Sequence, residues 1–306
     1  MTLTRMKFLN RVPQEHTKTL RYWLHQHYSG YETDRPFKNV HASEVTKDDG
    51  ICPRLYALND LTKKKPGQRW LSTAERLTYQ MGRDQERNIV EAFADMGKSI
   101  CHWRCVNCSR LHPFQSRPFK CEECGAKVFK PEEVRFESDV TGISCGVDML
   151  VALGEPKLRP VEIKTMASEE FKKLQAPLAE HRVRTTLYLR ILSECKHSWA
   201  SMVSHEQATI LYIAKNAFGV ADATLYKDEI KDKFSPFKEF TVKRNDELVE
   251  PLIKRAMVVK AYREGKVGIP AGVCSTALAQ RAKRCSFCQE CFSGDYPAEH
   301  IWEGSK

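Results

Sequence analysis

"RPVEIKTM", Arg159 to Met166, reads as a β-strand that is apolar at Val161, Ile163 and Met166 yet carries Glu162 and Lys164 two residues apart. Side chains alternate faces along a strand, so Glu162 and Lys164 share one face while Ile163 points to the other. Burying a carboxylate with an ammonium is costly unless strongly compensated. Upstream, "SCGVDMLVAL" sets Asp148 in an otherwise apolar segment, and "GEPKLRP" between the two stretches is a turn-rich link of hairpin length. Pairing through that turn brings Asp148 beside Glu162 and Lys164, with thirteen residues between the two acids. Two carboxylates and the Ile163 backbone carbonyl form an oxygen site suited to Mg²⁺, which keeps several waters and shares phosphate oxygens. A lysine alongside stabilises phosphate charge or helps to orient and deprotonate an attacking water. The competing reading is a solvent-facing Glu–Lys pair on an edge strand, with Asp148 a turn-proximal acid.

Outward from this hairpin, "STAERLTYQMGRDQERNIVEAFADMG" is expected to be a helix interrupted near Gly82, with Ile89, Val90 and Phe93 at helical spacing and Gly97 as its cap. A short helix in "HASEVTKDDG" and a second started by Pro53 precede it. "GYETDRPFKN" and "KKKPGQRW" read as loops. From Cys101 to Lys127 the apolar periodicity gives way to a cysteine-rich insert, and "EVRFES" resumes strand character. Downstream, "LAEHRVRTTLYLRILSEC" is a helix, "QATILYIAK" a buried strand and "NDELVEPLIKRAMVVKAYREGK" a further helix. This order predicts an α/β fold on a mixed sheet. The expected division is an N-terminal helical arm over 1–40, a core over 41–100 and 126–273, an insert over 101–125 and a C-terminal region over 274–306.

The 306 residues are 42% apolar and 29% charged, globular values that exclude a disordered chain. No apolar run is long enough to span a bilayer, and "MTLTRMKFLNRVPQEH" lacks the apolar core of a signal peptide, so a soluble cytoplasmic protein is expected. In that compartment the twelve cysteines point to metal rather than disulfides. The formal charge of +10 favours a polyanionic partner. Two four-thiolate centres would lower it to about +6.

The glycine-x-Asp148 strand, the hairpin and Glu162-x-Lys164 together resemble the RecB-like branch of the PD-(D/E)XK nuclease superfamily. The resemblance covers roughly residues 43 to 292 without the cysteine insert. It implies a restriction-endonuclease-like mixed sheet flanked by helices, a divalent ion on Asp148 and Glu162, and a catalytic Lys164. That family places a metal-binding histidine four residues after a glycine on an upstream helix; here that position is Glu86, a carboxylate able to act as ligand. It also often carries Q-x-x-x-Y on a downstream helix near the scissile strand; here "HRVRTTLYLRIL" keeps Tyr188, which the resemblance makes a catalytic-site residue that helps steer the strand, but has Arg184 in place of the glutamine, as a candidate DNA-phosphate contact.

"CVNCSRLHPFQSRPFKCEEC" spaces Cys105 and Cys108, then Cys121 and Cys124, as a structural zinc ribbon does, with Cys101 a spare or substitute ligand. Arg110, His112, Phe114, Arg117 and Phe119 make its loop either a DNA contact or a solvated surface. The second group, Cys274, Cys285, Cys288 and Cys291, suits an iron–sulfur cluster with one distant ligand, or a second zinc. The resemblance extends to the iron–sulfur nucleases of CRISPR adaptation and related phage exonucleases. It implies a distant ligand in a cysteine-x-arginine setting, matched by Cys52 in "ICPRLYAL". The expected 4Fe–4S set is Cys52, Cys274, Cys285 and Cys291, with Cys288 the rival of Cys274. Cys145 and Cys195 read as buried thiols.

These features imply a Mg²⁺- or Mn²⁺-dependent exonuclease acting on DNA ends or single strands in recombination, replication or DNA processing, alongside partner proteins of those processes. Its setting would be bacterial or a phage-infected host. A non-catalytic DNA-binding or scaffold subunit on the same fold is the alternative. A zinc-ribbon transcription factor would leave the Glu162–Lys164 strand unexplained.

Overall fold

The computed structural model describes residues 20–31, 39–47, 50–63, 70–215 and 236–305. The opening residues and much of both predicted early loops lie outside them. The chain divides into two units, residues 1–34 with 67–81, and residues 35–66 with 82–306. In the first, helix α1 (Leu20–Tyr28) buries none of its residues, and strand β1 (Gly30–Tyr31) pairs antiparallel with β3 (Trp70–Leu71).

The second unit holds β2 (Val40–His41), α2 (Ala42–Val45) and α3 (Pro53–Thr62), which starts at its proline as expected. Helix α4 (Thr73–Asp95) carries the chain into it without a break. The predicted interruption near Gly82 is absent because the missing side chain serves packing: a Cβ there would lie 3.3 Å from Thr165 Oγ1, so glycine lets the helix approach the strand closely. Strand β4 (Ser99–Cys105) alternates buried and half-buried side chains, so strand periodicity runs on into the segment read as aperiodic. Its buried Trp103 and Cys101 are core residues rather than part of a solvated insert.

The main sheet is mixed. Strands β12 (Phe237–Lys243), β11 (Gln207–Ala214), β10 (Arg159–Met166), β9 (Met149–Val151), β4 and β5 (Leu111–Gln115) lie in that order, and β6 (Phe129–Glu132) also pairs with β4. A second sheet orders β2, β8 (Ile143–Val147) and β7 (Val134–Glu137). The predicted strand "GISCGVDMLVAL" is therefore two strands, β8 in one sheet and β9 in the other, hinged at Asp148. β9 pairs with β10 only from Arg159 to Val161, whereas β10 runs parallel to β11 from Val161 to Met166.

Short α5 (Ser168–Lys173) and long α6 (Ala179–Leu192) follow β10, and α7 (Asp246–Arg263) follows β12 with Asn245 as a side-chain N-cap. Val90 of α4 packs with Val161, Ile163 and Trp103, whereas Phe171 and Leu174 cover Ile210 and Tyr212. Helices thus cover both sheet faces. Small helices α8 (Gln280–Lys283) and α9 (Cys288–Phe292) lie near the chain's end.

Gly50 sits at φ +83°, and a Cβ there would lie 2.8 Å from Leu252 and 3.3 Å from the Val45 carbonyl. Gly50→Ala is therefore expected to destabilise the protein by about 1–3 kcal/mol, from left-handed strain with some clash. Urea unfolding of variant and parent checks this; equal midpoints would contradict it.

Candidate functional site

The hinge at Asp148 shapes the site. Beyond Val161, among the described residues, no strand pairs with the edge of β10 that faced β9, and the Ile163 N–H would be left without a ladder partner. The Asp148 carboxylate accepts that N–H instead, at 2.6 Å. Asp148 is 9% exposed and Glu162 5%. Lys164 Nζ lies 2.5 Å from Glu162 Oε1 and donates to the Ile163 carbonyl at 3.2 Å. Glu86, on the central turns of α4, shares the electrostatic neighbourhood of Asp148, Lys164 and Glu162. The residues predicted to form the site thus lie together.

Their environment is strained electrically. Burial, then the charge on Glu162, pushes the Asp148 carboxyl well above its usual range despite Lys164. Burial also raises Glu86; Lys164 opposes this, and Glu133 and Glu162 add to it. Burial works against the Lys164 ammonium, yet Glu162 and Asp148 more than offset it, so Lys164 is raised too. Ionised, Glu86, Asp148 and Glu162 against one ammonium sum to −2, the complement of a divalent cation. The donors are hard oxygens, which fits Mg²⁺ or Mn²⁺.

Helix α6 borders this group. Arg184 bonds Glu180 at 2.6 Å and Thr46 at 3.3 Å, and its charge reaches both Lys164 and Tyr188. Burial, then Glu162, raises the Tyr188 phenol far above its normal range. Glu133 was not marked in the sequence. It sits in the link between β6 and β7, 3.6 Å from Arg135, and its carboxylate occupies the space that a Cβ on Gly146 would take, 2.5 Å away. The glycine two residues before Asp148 is the one signal that pointed toward it.

All twelve cysteines are free thiols. Among the described residues, Cys105, Cys108, Cys121 and Cys124 are the set whose ligand atoms all lie within 4.8 Å of one another, an arrangement able to hold one metal ion. Two matching turns produce it, closed by left-handed Ser109 (φ 61°) and Gly125 (φ 71°). The Cys124 thiol is drawn down to about 6, first by the Asn107 side chain and then by the Ala126 backbone. Cys101 stands outside the set, its sulfur 3.9 Å from the Asp148 carbonyl and its pKa pushed up to about 12 by burial.

The second group also converges. Cys285 has Cys52, Cys288 and Cys291 as charge neighbours, and Cys291 has Cys52 and Cys274. Buried Arg54 staples the group: Nε donates to Cys291 Sγ at 3.1 Å, and the guanidinium reaches the carbonyls of Pro270 and Cys291 at 3.3 Å and that of Tyr296. Cys145 is buried and Cys195 half-buried.

No protein-family model matches the chain, and no curated protein is similar to it. Among solved structures, the alkaline exonuclease LHK-Exo from Laribacter hongkongensis is 13% identical, over 75% of this chain and 90% of its own, at TM-score 0.40. A phage-related exonuclease from Haemophilus somnus 129PT is 13% identical, over 74% and 94%, at TM-score 0.38. The protein SSO0001 is 12% identical, over 86% and 89%, at TM-score 0.38. Likenesses this weak leave the chemistry to be read from the site.

A carboxyl whose folded pKa is raised stabilises the fold below its unfolded pKa, and that stability is lost as pH rises through the folded pKa. Chelator-treated protein should therefore melt at falling temperatures as pH rises above the ordinary carboxylate range of about 4 and Asp148 and Glu86 ionise. Added Mg²⁺ or Mn²⁺ should restore the loss at the upper end. A melting temperature indifferent to both ions there would exclude the metal site.

Proposed function

We propose that this chain is a metal-dependent deoxyribonuclease of the RecB-like PD-(D/E)XK type, an exonuclease acting on DNA ends or single strands in recombination, replication or DNA processing, in a phage or mobile-element setting. The observation that supports this most is the set of buried Asp148 and Glu162 with half-buried Glu86 around Lys164, at an edge that β9 abandons. Structural charge pairs seldom collect three acids on one lysine, because the surplus charge is costly to bury.

Glu86, Asp148, Glu162 and the Ile163 carbonyl would hold one or two Mg²⁺ or Mn²⁺ ions. A bound ion supplies Lewis-acid polarisation of a phosphoryl oxygen and a more acidic water. Lys164 is cationic in this environment, so it suits stabilising phosphate charge and orienting the water more than abstracting a proton. Arg184 is the DNA-phosphate contact, and buried Tyr188 positions that helix against Glu162.

In the same reading Cys105, Cys108, Cys121 and Cys124 hold structural zinc, and Cys52, Cys274, Cys285 and Cys291 hold a 4Fe–4S cluster, with Cys288 beside it. The cluster's work would be mechanical, closing a chain segment of more than two hundred residues. Among the described residues no helix is long and apolar enough to cross a membrane.

End-labelled linear DNA incubated with Mn²⁺ should be degraded by the parent protein, and Asp148→Ala and Lys164→Ala should each slow this by about 10²–10³-fold or more. Parent protein that binds DNA but degrades none would make the chain a binding or scaffold subunit instead. Anaerobically purified protein should contain one zinc and four irons per chain. Cys121→Ser should lose the zinc and keep the iron.

A further inference from the structure

On β11, Tyr212 lies opposite Lys164 in the parallel ladder, so both side chains project from the same face of the sheet. Tyr212 is fully buried, at 0% exposure. Its hydroxyl has two neighbours: the Leu178 backbone N–H, which donates to it at 3.0 Å, and His181 Nδ1 at 2.8 Å. A buried hydroxyl must place its own hydrogen on an acceptor. Leu178 N–H is a donor only, so the acceptor is His181 Nδ1. The imidazole proton is thereby assigned to Nε2, on the opposite side of the ring from Tyr212.

His181 is half-buried and stands one turn before Arg184 on α6, with Tyr188 a further turn on. Its charge neighbours are Lys164 and Arg184, two cations of the candidate site. Burial, and then those two cations, hold its ring uncharged at neutral pH, with a pKa lowered to about 4. It therefore adds a hydrogen-bond donor without adding a third positive charge.

We propose that His181, locked by Tyr212 as the Nε2–H tautomer, completes with Lys164 and Arg184 a three-donor site for a phosphate oxygen of the DNA strand. The assignment rests on the nuclease reading for its ligand, but the tautomer stands on the hydrogen-bond chain alone. Two cations and one neutral donor match a phosphodiester, whose single negative charge is spread over two oxygens. The Leu178–Tyr212–His181 chain fixes the ring's orientation before the strand arrives, which limits the ordering cost on binding.

Two measurements test this. Long-range ¹H–¹⁵N spectra of the full chain should show His181 protonated at Nε2, and Tyr212→Phe should abolish the single-tautomer pattern. An Nδ1–H tautomer in the parent protein would overturn the proposal whatever the activity. Binding of a labelled single-stranded oligonucleotide, in Ca²⁺ to suppress cleavage, should weaken about tenfold in His181→Ala. His181→Gln, whose amide reaches the Nε2 position, should recover most of that loss. In Mn²⁺ assays the His181→Ala defect should fall mainly on KM, with the pH profile unchanged. Parent protein that binds no DNA refutes the nuclease reading and the phosphate assignment together. Parent protein that binds while His181→Ala binds equally well refutes only the role of His181.

Discussion

One missing ladder partner governs the site. The strand that carries Asp148 leaves one sheet and enters another at that residue, so it stops pairing with β10 after three positions. The next inward amide on β10, that of Ile163, is satisfied by the Asp148 carboxylate. That bond pins the acid at the fork, and the unpaired edge leaves room for Glu162 and Lys164 on one side and for Glu86 of α4 on the other. A fully paired sheet would have had no such opening, since each added strand closes the edge with its own backbone.

The fork also accounts for the electrostatics. Three acids crowded on one lysine cannot all stay ionised without a further cation, and the raised pKa values of Asp148 and Glu86, driven first by burial, express that conflict. The glycines nearby serve the same geometry by permitting close approach. Gly82 lets α4 lie against Thr165, and Gly146 leaves room for Glu133. Away from the fork, the Arg54 guanidinium ties helix α3 to the C-terminal segment through one sulfur and three carbonyls.

Much of this was legible beforehand because it is local. Period-two alternation marked β10 and β11, helical spacing marked α4 and α6, and Pro53 marked the start of α3. The regular spacing of two cysteine pairs implied that their sulfurs converge. Two readings went astray for one reason: Gly82 inside a helix and the polar alternation of β4 were judged without their neighbours. Thr165 and the packing around Trp103 decide those positions. Glu133 and His181 escaped notice because neither lies in a motif.

By itself the sequence determined the α/β succession, the face shared by Glu162 and Lys164, and the convergence of Cys105, Cys108, Cys121 and Cys124, because backbone periodicity and short-range spacing are properties of neighbours along the chain. Only the tertiary structure decided that Asp148 is a hinge between sheets, that Glu133 fills the space beside Gly146, and that Tyr212 selects the proton position on His181. Those depend on which strand ends where and which groups are left without a partner, and such vacancies arise only when distant segments pack.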